Sequence, residues 1–220
     1  MIKIENIEVF NLEGAMRGMR NPMNSWHLSD SEYEIFPDDK GFLTEEKFVI
    51  GKADMKLAHN LCVAGHPHRK YLRQIFVSMD ITAPIYWWKE FDTYKVGVTR
   101  NSCSTMHKIH AKEFVLGDFS HEHFTDEGLK YLEAVISRLN VDRQFYNTLD
   151  GDAKKYYWWE MIQLLPSSYN QKSTITCNYE NIVNMIQYRS DHKLDEWQEF
   201  CKLMLDKLPY LKEILNGSNE

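Results

Sequence analysis

Residues 165–189, LPSSYNQKSTITCNYENIVNMIQYR, are the stretch that decides the fold. Within it, residues 173–177 are rich in β-branched side chains, which is typical of a short strand. Asn178 follows at once, and asparagine is among the preferred residues for capping a helix N-terminus. Residues 179–188 then predict a helix. The segment therefore predicts a strand that runs directly into a capped helix.

The rest of the chain predicts further strands and helices by hydrophobic period. Residues 74–82 place Ile75, Val77, Met79 and Ile81 on one face of a strand. A second strand is predicted over residues 2–12, with a slip at Asn6–Ile7. Helices are predicted over residues 14–20, 53–64, 84–94, 126–140, 153–164 and 193–208, and a long loop or lobe over residues 21–46. This order predicts one α+β domain spanning residues 1–220.

Composition limits the classes of function. The chain has 220 residues, 43% of them hydrophobic and 26% charged, which is ordinary for a globular protein. The net charge of -6 argues against nucleic-acid binding, which needs a basic field, but a local cluster of cations still permits a small anionic ligand. No apolar run approaches the roughly 18 residues that a membrane span needs. The N-terminus reads as a strand, and the four cysteines lack metal-knuckle spacing, so we expect a cytoplasmic protein with reduced thiols.

Two segments carry the candidate chemistry. Residues 66–73, HPHRKYLR, hold five potential cations between a helix that ends at Gly65 and a strand. Such a turn is either a phosphate site or a solvated basic turn. Residues 96–105 are small and polar and lie next to Lys95, with Arg100 among them. Such residues let the backbone approach a ligand closely and hydrogen-bond to it. The alternative is a plain Ser/Thr-rich loop without a ligand.

Neither a catalytic group nor a metal site can be assigned. Cys103 has the chemistry of a nucleophile, but no general base can be named beside it, so the catalytic residues stay unknown. The histidines at 107, 110, 121 and 123 fit no metal motif, and we expect no metal.

The quoted segment resembles the flavin-dependent thymidylate synthases. That family carries Leu-Pro and then Val-Asn-Ala-Arg-Ser-Leu-x-Asn-Phe-x-x-Leu-Arg at the spacing of Leu165-Pro166, Asn178, Asn184 and Arg189. In the family both asparagines contact the flavin, and the arginine lies at the flavin and nucleotide site. The resemblance implies that Asn178, Asn184 and Arg189 bind cofactor. A planar flavin needs aromatic walls and amide partners at its ring edge, which the two asparagines and Tyr188 supply in this interpretation.

The middle and the N-terminus of the chain are also similar to the family. Gly65-His66 matches its Gly-His turn, and Ala83-Pro84 matches an Ala-Pro that opens a helix. The family turn contacts flavin, which implies cofactor contacts for His68, Lys70 and Arg73. Residues 15–20, AMRGMR, resemble the family's Ala-x-Arg-x-x-Arg-x-Ser segment, with Pro22 at the serine position.

The family's central signature is altered. In place of Arg-His-Arg, seven residues and Ser, the chain has Thr93-Tyr94-Lys95 and then Cys103. The substrate-binding residues implied by position and charge are therefore Lys95, Arg100, Cys103 and Arg189.

The resemblance implies the fold of the thymidylate synthase-complementing proteins, a central antiparallel sheet flanked by helices. It also implies transfer of a one-carbon unit from methylenetetrahydrofolate to a nucleotide monophosphate, dUMP to dTMP, with FAD that NADPH reduces. The implied assembly is a homotetramer with shared flavin sites. The alternative is a non-catalytic or repurposed relative that binds nucleotide or flavin.

Overall fold

The computed structural model describes residues 2–38 and 40–217. In chain order the first half contains β1 (Lys3–Phe10), α1 (Leu12–Met19), β2 (Glu32–Pro37), β3 (Leu43–Val49), α2 (Lys52–Val63), β4 (Phe76–Pro84) and α3 (Ile85–Phe91). The second half contains β5 (Thr99–Ser102), α4 (Asp126–Thr148), α5 (Gly151–Leu164), β6 (Asn170–Asn178), α6 (Tyr179–Arg189), α7 (Asp195–Lys207) and α8 (Leu211–Asn216). This architecture confirms the predicted α+β class.

The main sheet has the strand order β1-β4-β6-β5, and every neighbouring pair is antiparallel. Its central strand β4 buries Val77, Met79 and Ile81, as the alternation predicted. The ladder between β4 and β6 runs from Phe76 opposite Asn178 to Pro84 opposite Asn170. The helix after β6 therefore begins at one end of the sheet.

The predicted slip in the first strand is a β-bulge. The register of β1 on β4 shifts between Glu5 and Glu8, and Asn6 adopts a φ of 53°. Asparagine tolerates this left-handed conformation better than most residues. Asn6 Nδ2 also donates a 2.9 Å hydrogen bond to Asp80 Oδ2, which holds the bulge against β4.

The main core is aromatic where α3 meets α7. Trp87, Trp88, Phe91, Trp197 and Phe200 are almost fully buried, and the rings of Trp87 and Trp197 lie 4.7 Å apart. A smaller core packs α4 and α5 against the loop before them. Because Trp87 and Trp88 are buried in the chain's own core, they are not free for an interface.

Several boundaries differ from the predictions. Residues 21–46 were predicted as a loop, but they include β2 and the start of β3, which form a two-stranded hairpin. The hairpin was missed because Pro37, Gly41 and the many acidic residues of this stretch favour a loop. Strand β5 and helix α8 were also missed, because both are short.

Two helices end at residues other than those predicted from the sequence. Helix α3 stops at Phe91, before the predicted end at residue 94, and Thr93 Oγ1 donates to the Glu90 carbonyl there. Helix α4 continues to Thr148, beyond the predicted end at residue 140. None of the helices in the described residues is long and apolar enough to cross a membrane.

Candidate functional site

Helix α6 starts with a reciprocal cap. Asn178 Oδ1 accepts a 3.0 Å hydrogen bond from the Asn181 backbone N–H, and Asn181 Oδ1 accepts a 3.1 Å bond from the Asn178 N–H. This arrangement confirms Asn178 as the predicted N-cap. It fixes the start of α6 directly at the end of β6.

The candidate residues of α6 lie on different faces of the helix. At about 100° per residue, Glu180 and Asn184 share one side, and Asn178 and Arg189 share the opposite side. Asn181, Asn184 and Tyr188 span the arc between them, and Tyr188 is 70% exposed. We call this arc of half-buried Asn181 and Asn184 and exposed Tyr188 the α6 ridge.

On one flank of the ridge, three basic side chains converge on the buried carboxylate of Glu180. His66 Nδ1 lies 2.5 Å from Oε1, Arg69 Nε donates to Oε1 at 3.3 Å, and Arg73 Nε donates to Oε2. Burial opposes ionisation of Glu180, but hydrogen bonds from Arg73 and His66 hold its pKa below the ordinary value. We call these four residues the Glu180 cluster.

The Glu180 cluster is tied to the ridge. Arg69 Nη2 donates a 2.7 Å hydrogen bond to Asn184 Oδ1, so this asparagine already uses its acceptor within the chain. His68 and Lys70 are exposed on the same turn, and the Arg73 side chain keeps 44% of its surface exposed. The three turn residues predicted to bind cofactor, His68, Lys70 and Arg73, therefore lie on one short segment with exposed side chains.

On the other flank, Arg189 binds Glu90 of α3. Its Nη1 donates to Glu90 Oε2 at 2.8 Å, and its Nε donates to the Tyr94 hydroxyl at 3.0 Å. The guanidinium also lies over the Trp197 ring, 5.1 Å from its centroid. Trp197 Nε1 donates to the same Glu90 oxygen at 3.0 Å. We call these four residues the Glu90 cluster.

The loop after α3 packs on the start of α6. Asn181 Nδ2 donates a 2.8 Å hydrogen bond to the Val96 carbonyl, and Gly97 has a φ of +75°. A Cβ atom at Gly97 would lie 3.0 Å from Asn178 Nδ2, so a side chain there would press on the cap. Lys95 is exposed in this loop, which brings it to the same end of the sheet as Asn178.

Arg100, in contrast, is fully engaged as a cross-link. Its guanidinium donates to Asp92 at 2.8 Å, to Ser173 Oγ at 3.0 Å and to Gln171 Oε1 at 2.7 Å. It also covers the Trp88 ring, 3.9 Å from the centroid. These contacts join the end of α3 to β5 and β6.

Cys103 lies at the far end of the sheet. Its backbone N–H donates to the Lys172 carbonyl at 2.9 Å, and Lys172 and Asn178 are separated by most of β6. At about 3.3 Å per residue, that separation is roughly 20 Å. Exposed Cys103 instead lines a cavity of about 520 Å³ with Lys108, Lys112 and Lys172. The structure therefore does not bring Cys103 to the α6 ridge of its own chain.

The site residues that the sequence predictions missed are the two carboxylates. Glu180 stands where the resembling family has the arginine of its Asn-Ala-Arg-Ser run, and this charge reversal was visible in the sequence. Nothing in the sequence marks Glu90 as a site residue, because its role depends on the packing of α3 against α6 and α7. The described residues contain no cluster of three or more His, Cys, Asp or Glu side chains that could hold a metal ion.

The surroundings of the Glu180 cluster suit a flavin in part. A groove of about 520 Å³ beside Arg69 has apolar walls from Val183, Ile186 and Leu215, within the usual size range of ligand pockets. The amide nitrogen of Asn184 donates to none of the described groups. For phosphates the fit is weaker, because Arg69 and Arg73 share one carboxylate, which leaves one net positive charge and nearby Lys70.

The fold is that of the flavin-dependent thymidylate synthases. A scan against sequence models of protein families finds no match, and no curated protein matches either. Among solved structures, the chain is similar to thymidylate synthase X from Helicobacter pylori with FAD and dUMP, with a TM-score of 0.64 and 17% identity over 98% of this chain and 97% of that one. A second structure of this enzyme with FAD and dUMP gives a TM-score of 0.62 and 17% identity, over 96% of this chain and 100% of that one.

A third similar structure is that of a nucleotide methylase. The UMP/dUMP methylase PolB from Streptomyces cacaoi, bound with 5-Br dUMP, gives a TM-score of 0.60 and 13% identity, over 97% of this chain and 94% of that one. At these identities the likeness establishes the fold and not the reaction.

Proposed function

We propose that this chain binds a flavin and a pyrimidine nucleotide monophosphate at the α6 ridge and modifies the pyrimidine ring. The observation that carries the proposal is the fold match over 98% of the chain to an enzyme solved with FAD and dUMP. Asn178, Asn184 and Arg189, the positions kept at the family spacing, lie on or at the start of one helix beside a basic turn. Methylation of dUMP to dTMP, with FAD, NADPH and methylenetetrahydrofolate, is the first reaction to test.

The chain's own residues have distinct tasks in this proposal. The Asn184 amide nitrogen donates to the ring edge of the flavin, and the exposed Tyr188 ring covers its face. His68, Lys70 and the exposed part of Arg73 attract the cofactor phosphates. When bound, the flavin supplies the redox chemistry that side chains lack.

The nucleotide half of the site requires a second subunit. The Cys103 cavity is basic: Lys172 binds Asp80, with 3.1 Å between Nζ and Oδ2, and Lys112 binds Asp118, whereas Lys108 has no partner among the described side chains. This cavity lies about 20 Å from the start of α6 along β6. We therefore propose that the α6 ridge of one subunit faces the Cys103 cavity of another, as in a homotetramer with shared sites.

A repurposed, non-catalytic relative is the second candidate. One observation favours it: all of the arginines in the predicted site are already engaged by carboxylates of the same chain. Arg73 binds Glu180, Arg100 binds Asp92 and Arg189 binds Glu90. An arginine that is neutralised internally attracts a phosphate less strongly.

The two candidates are distinguished by a titration followed by an assay. Purified protein is titrated with FAD and with FMN, and bound flavin is followed by its visible absorbance. The complex is then titrated with dUMP and UMP, and products are analysed by mass spectrometry with NADPH and methylenetetrahydrofolate present. A methylated nucleotide supports the enzyme. Binding without turnover supports the repurposed relative, and failure to bind any flavin contradicts the flavoprotein proposal.

A further inference from the structure

A further basic cluster lies where the loop before α4 packs on the helices α4 and α5. Arg143 Nε of α4 donates to the His110 carbonyl at 3.0 Å, and the His110 ring lies 4.4 Å from the ring of Tyr146, one turn further along α4. Lys154 of α5 comes to the same tyrosine, with its Nζ 4.8 Å from the ring centroid. We call His110, Arg143 and Lys154, together with Lys108 of the loop, the His110 cluster.

The loop is anchored on both sides of His110. Before it, Trp158 Nε1 of α5 donates to the Met106 carbonyl at 2.8 Å. After it, Asn140 of α4 binds the backbone of Phe114 twice, from Nδ2 to the carbonyl at 2.8 Å and from the N–H to Oδ1 at 2.9 Å. The basic side chains of the cluster are therefore brought together by segments that hydrogen bonds hold in place.

The His110 cluster lacks a counter-charge. Lys108, Arg143 and Lys154 form no ion pair within the described part of the chain. Nearby Lys112, by contrast, binds an aspartate. Burial and the same three cations lower the pKa of His110, and none of the described carboxylates opposes them. Three positive charges thus act on one ring in a protein whose net charge is -6.

This arrangement differs from a solvated basic surface in its burial. His110, Arg143 and Lys154 are half-buried, so water screens their charges less than it does at an open surface. The Nδ1 atom of His110 is buried and has no hydrogen-bond partner among the described residues. Like charges that are held close together cost free energy, which a bound anion recovers.

We propose that the His110 cluster binds a phosphate-type oxyanion, either free or as the phosphate group of a nucleotide. Arg143 and Lys154 hold the oxyanion from two helices, and Lys108 approaches it from the loop. The terminal nitrogens of Arg143 are available, because only its Nε bonds within the described residues. Of the cluster, Lys108 alone also lines the Cys103 cavity, so the oxyanion site is adjacent to that cavity and distinct from it.

The test follows the His110 ring by NMR in the full chain with isotope-labelled histidine, and His110→Gln assigns its signal. Sulfate is the probe for a free oxyanion, because its charge does not change over the range in which histidine titrates. Chloride at the same ionic strength is the comparison. We expect sulfate to raise the pKa of His110 by about 0.5 or more, because a nearby anion favours the protonated ring. The pair of dUMP and deoxyuridine tests the nucleotide source, since only dUMP carries a phosphate.

Lys154→Gln is the decisive variant. Without an anion it should raise the pKa of His110 slightly, because one repelling charge is gone, and the further rise with sulfate should shrink to less than about half. Lys155→Gln is the matched control, because Lys155 is exposed on the same helix and does not act on His110. Arg143→Gln repeats the two measurements on α4. Thermal unfolding of each variant confirms that the fold is intact.

The outcomes separate the two sources of the oxyanion. A rise with sulfate that is reduced in Lys154→Gln and kept in Lys155→Gln supports a free oxyanion. A rise with dUMP, but not with sulfate or deoxyuridine, that has the same dependence supports a nucleotide phosphate. No rise with sulfate or dUMP, or an equal rise in both lysine variants, overturns the proposal. The measurements contain no flavin, so they do not depend on the outcome of the flavin titration.

Discussion

Arg189 and Glu90 form an ion pair, with 2.8 Å between Nη1 and Oε2, at the point where α6, α3 and α7 meet. The same Glu90 oxygen also accepts a hydrogen bond from Trp197 Nε1 at 3.0 Å, and His192 Nε2 lies 3.3 Å from it. Arg189 is therefore removable without leaving the carboxylate unpartnered. The pair links the helix that carries the proposed cofactor contacts to the aromatic core.

Arg189→Ala should reduce nucleotide or flavin affinity at least about tenfold while the fold survives, because a charge-assisted contact is lost. The free energy of unfolding should fall by only about 1 kcal/mol, as is typical of a partly exposed ion pair. Ligand titration and urea unfolding measure the two effects. Arg17→Ala, which breaks an exposed pair with Glu13, is the control outside the site. Unchanged affinity in Arg189→Ala would contradict the site assignment.

Glu180→Gln should strengthen the binding of phosphates at the basic turn. Removing the carboxylate leaves Arg69 and Arg73 without their shared counter-charge, so pyrophosphate affinity should rise several-fold at low salt and the gain should shrink at high salt. Stability should fall by about 1–3 kcal/mol, because the remaining hydrogen bonds are weaker. Calorimetry with pyrophosphate at two salt concentrations tests this. A variant with no gain shows that the turn is not an anion site.

Gly97→Ala should destabilise the chain by more than about 1 kcal/mol and weaken ligand binding. Its φ of +75° is unfavourable for alanine, and the added Cβ would lie 3.0 Å from Asn178 Nδ2 and 3.3 Å from Asn181 Oδ1. Gly41→Ala is the matched control, with a φ of +85° but nothing within 4 Å. Chemical unfolding of both variants separates the backbone effect from the contact with the cap. Equal losses of stability in the two variants would show that the contact with the cap does not contribute to stability.

Cys103 should be the first thiol to react with iodoacetamide in the folded protein. Cys62, Cys177 and Cys201 are buried, and burial raises the pKa of Cys177 to about 12 and that of Cys201 to about 11, so both stay as unreactive thiols. Peptide mapping after brief labelling identifies the site, with Cys103→Ser as the blank. If the Cys103 cavity binds nucleotide in the assembly, dUMP should slow the labelling. Faster labelling of any buried thiol would contradict the burial seen here.

Asp142→Asn should stabilise the protein at neutral pH. Asp142 is fully buried in α4, and burial together with nearby Glu160 raises the pKa of its carboxyl. A raised pKa means that the stability is present below the unfolded value of about 3.9 and is lost as pH rises through the folded value. The neutral variant should therefore gain about 1 kcal/mol at pH 7 and progressively less towards pH 4. Urea unfolding across this range measures it, and a loss at pH 7 would show that the ion pair with Arg138 outweighs burial.

The sequence predictions were most accurate for features that depend on interactions between neighbouring residues. The cap at Asn178 and the buried face of β4 were predicted because each depends on neighbours within a few residues. The stop of α2 before Gly65 belongs to the same group, since Gly65 has a φ of +98° that ends a helix. The β2–β3 hairpin escaped prediction because its strands are mostly exposed and rich in glutamate, and because Pro37 and Gly41 favoured a loop.

The sequence by itself determined the strand–cap–helix unit of residues 173–188 and the fold class, and it identified the residues with suitable chemistry. Only the tertiary structure decided which of these residues are free to bind a ligand. It paired Arg73 and Arg189 with carboxylates distant along the chain and Arg100 with nearby Asp92. It also separated Cys103 from the α6 ridge by most of a strand. The reason is physical: hydrogen-bonding periods and caps are set by adjacent residues, whereas the neutralisation of a charge depends on which elements pack beside it.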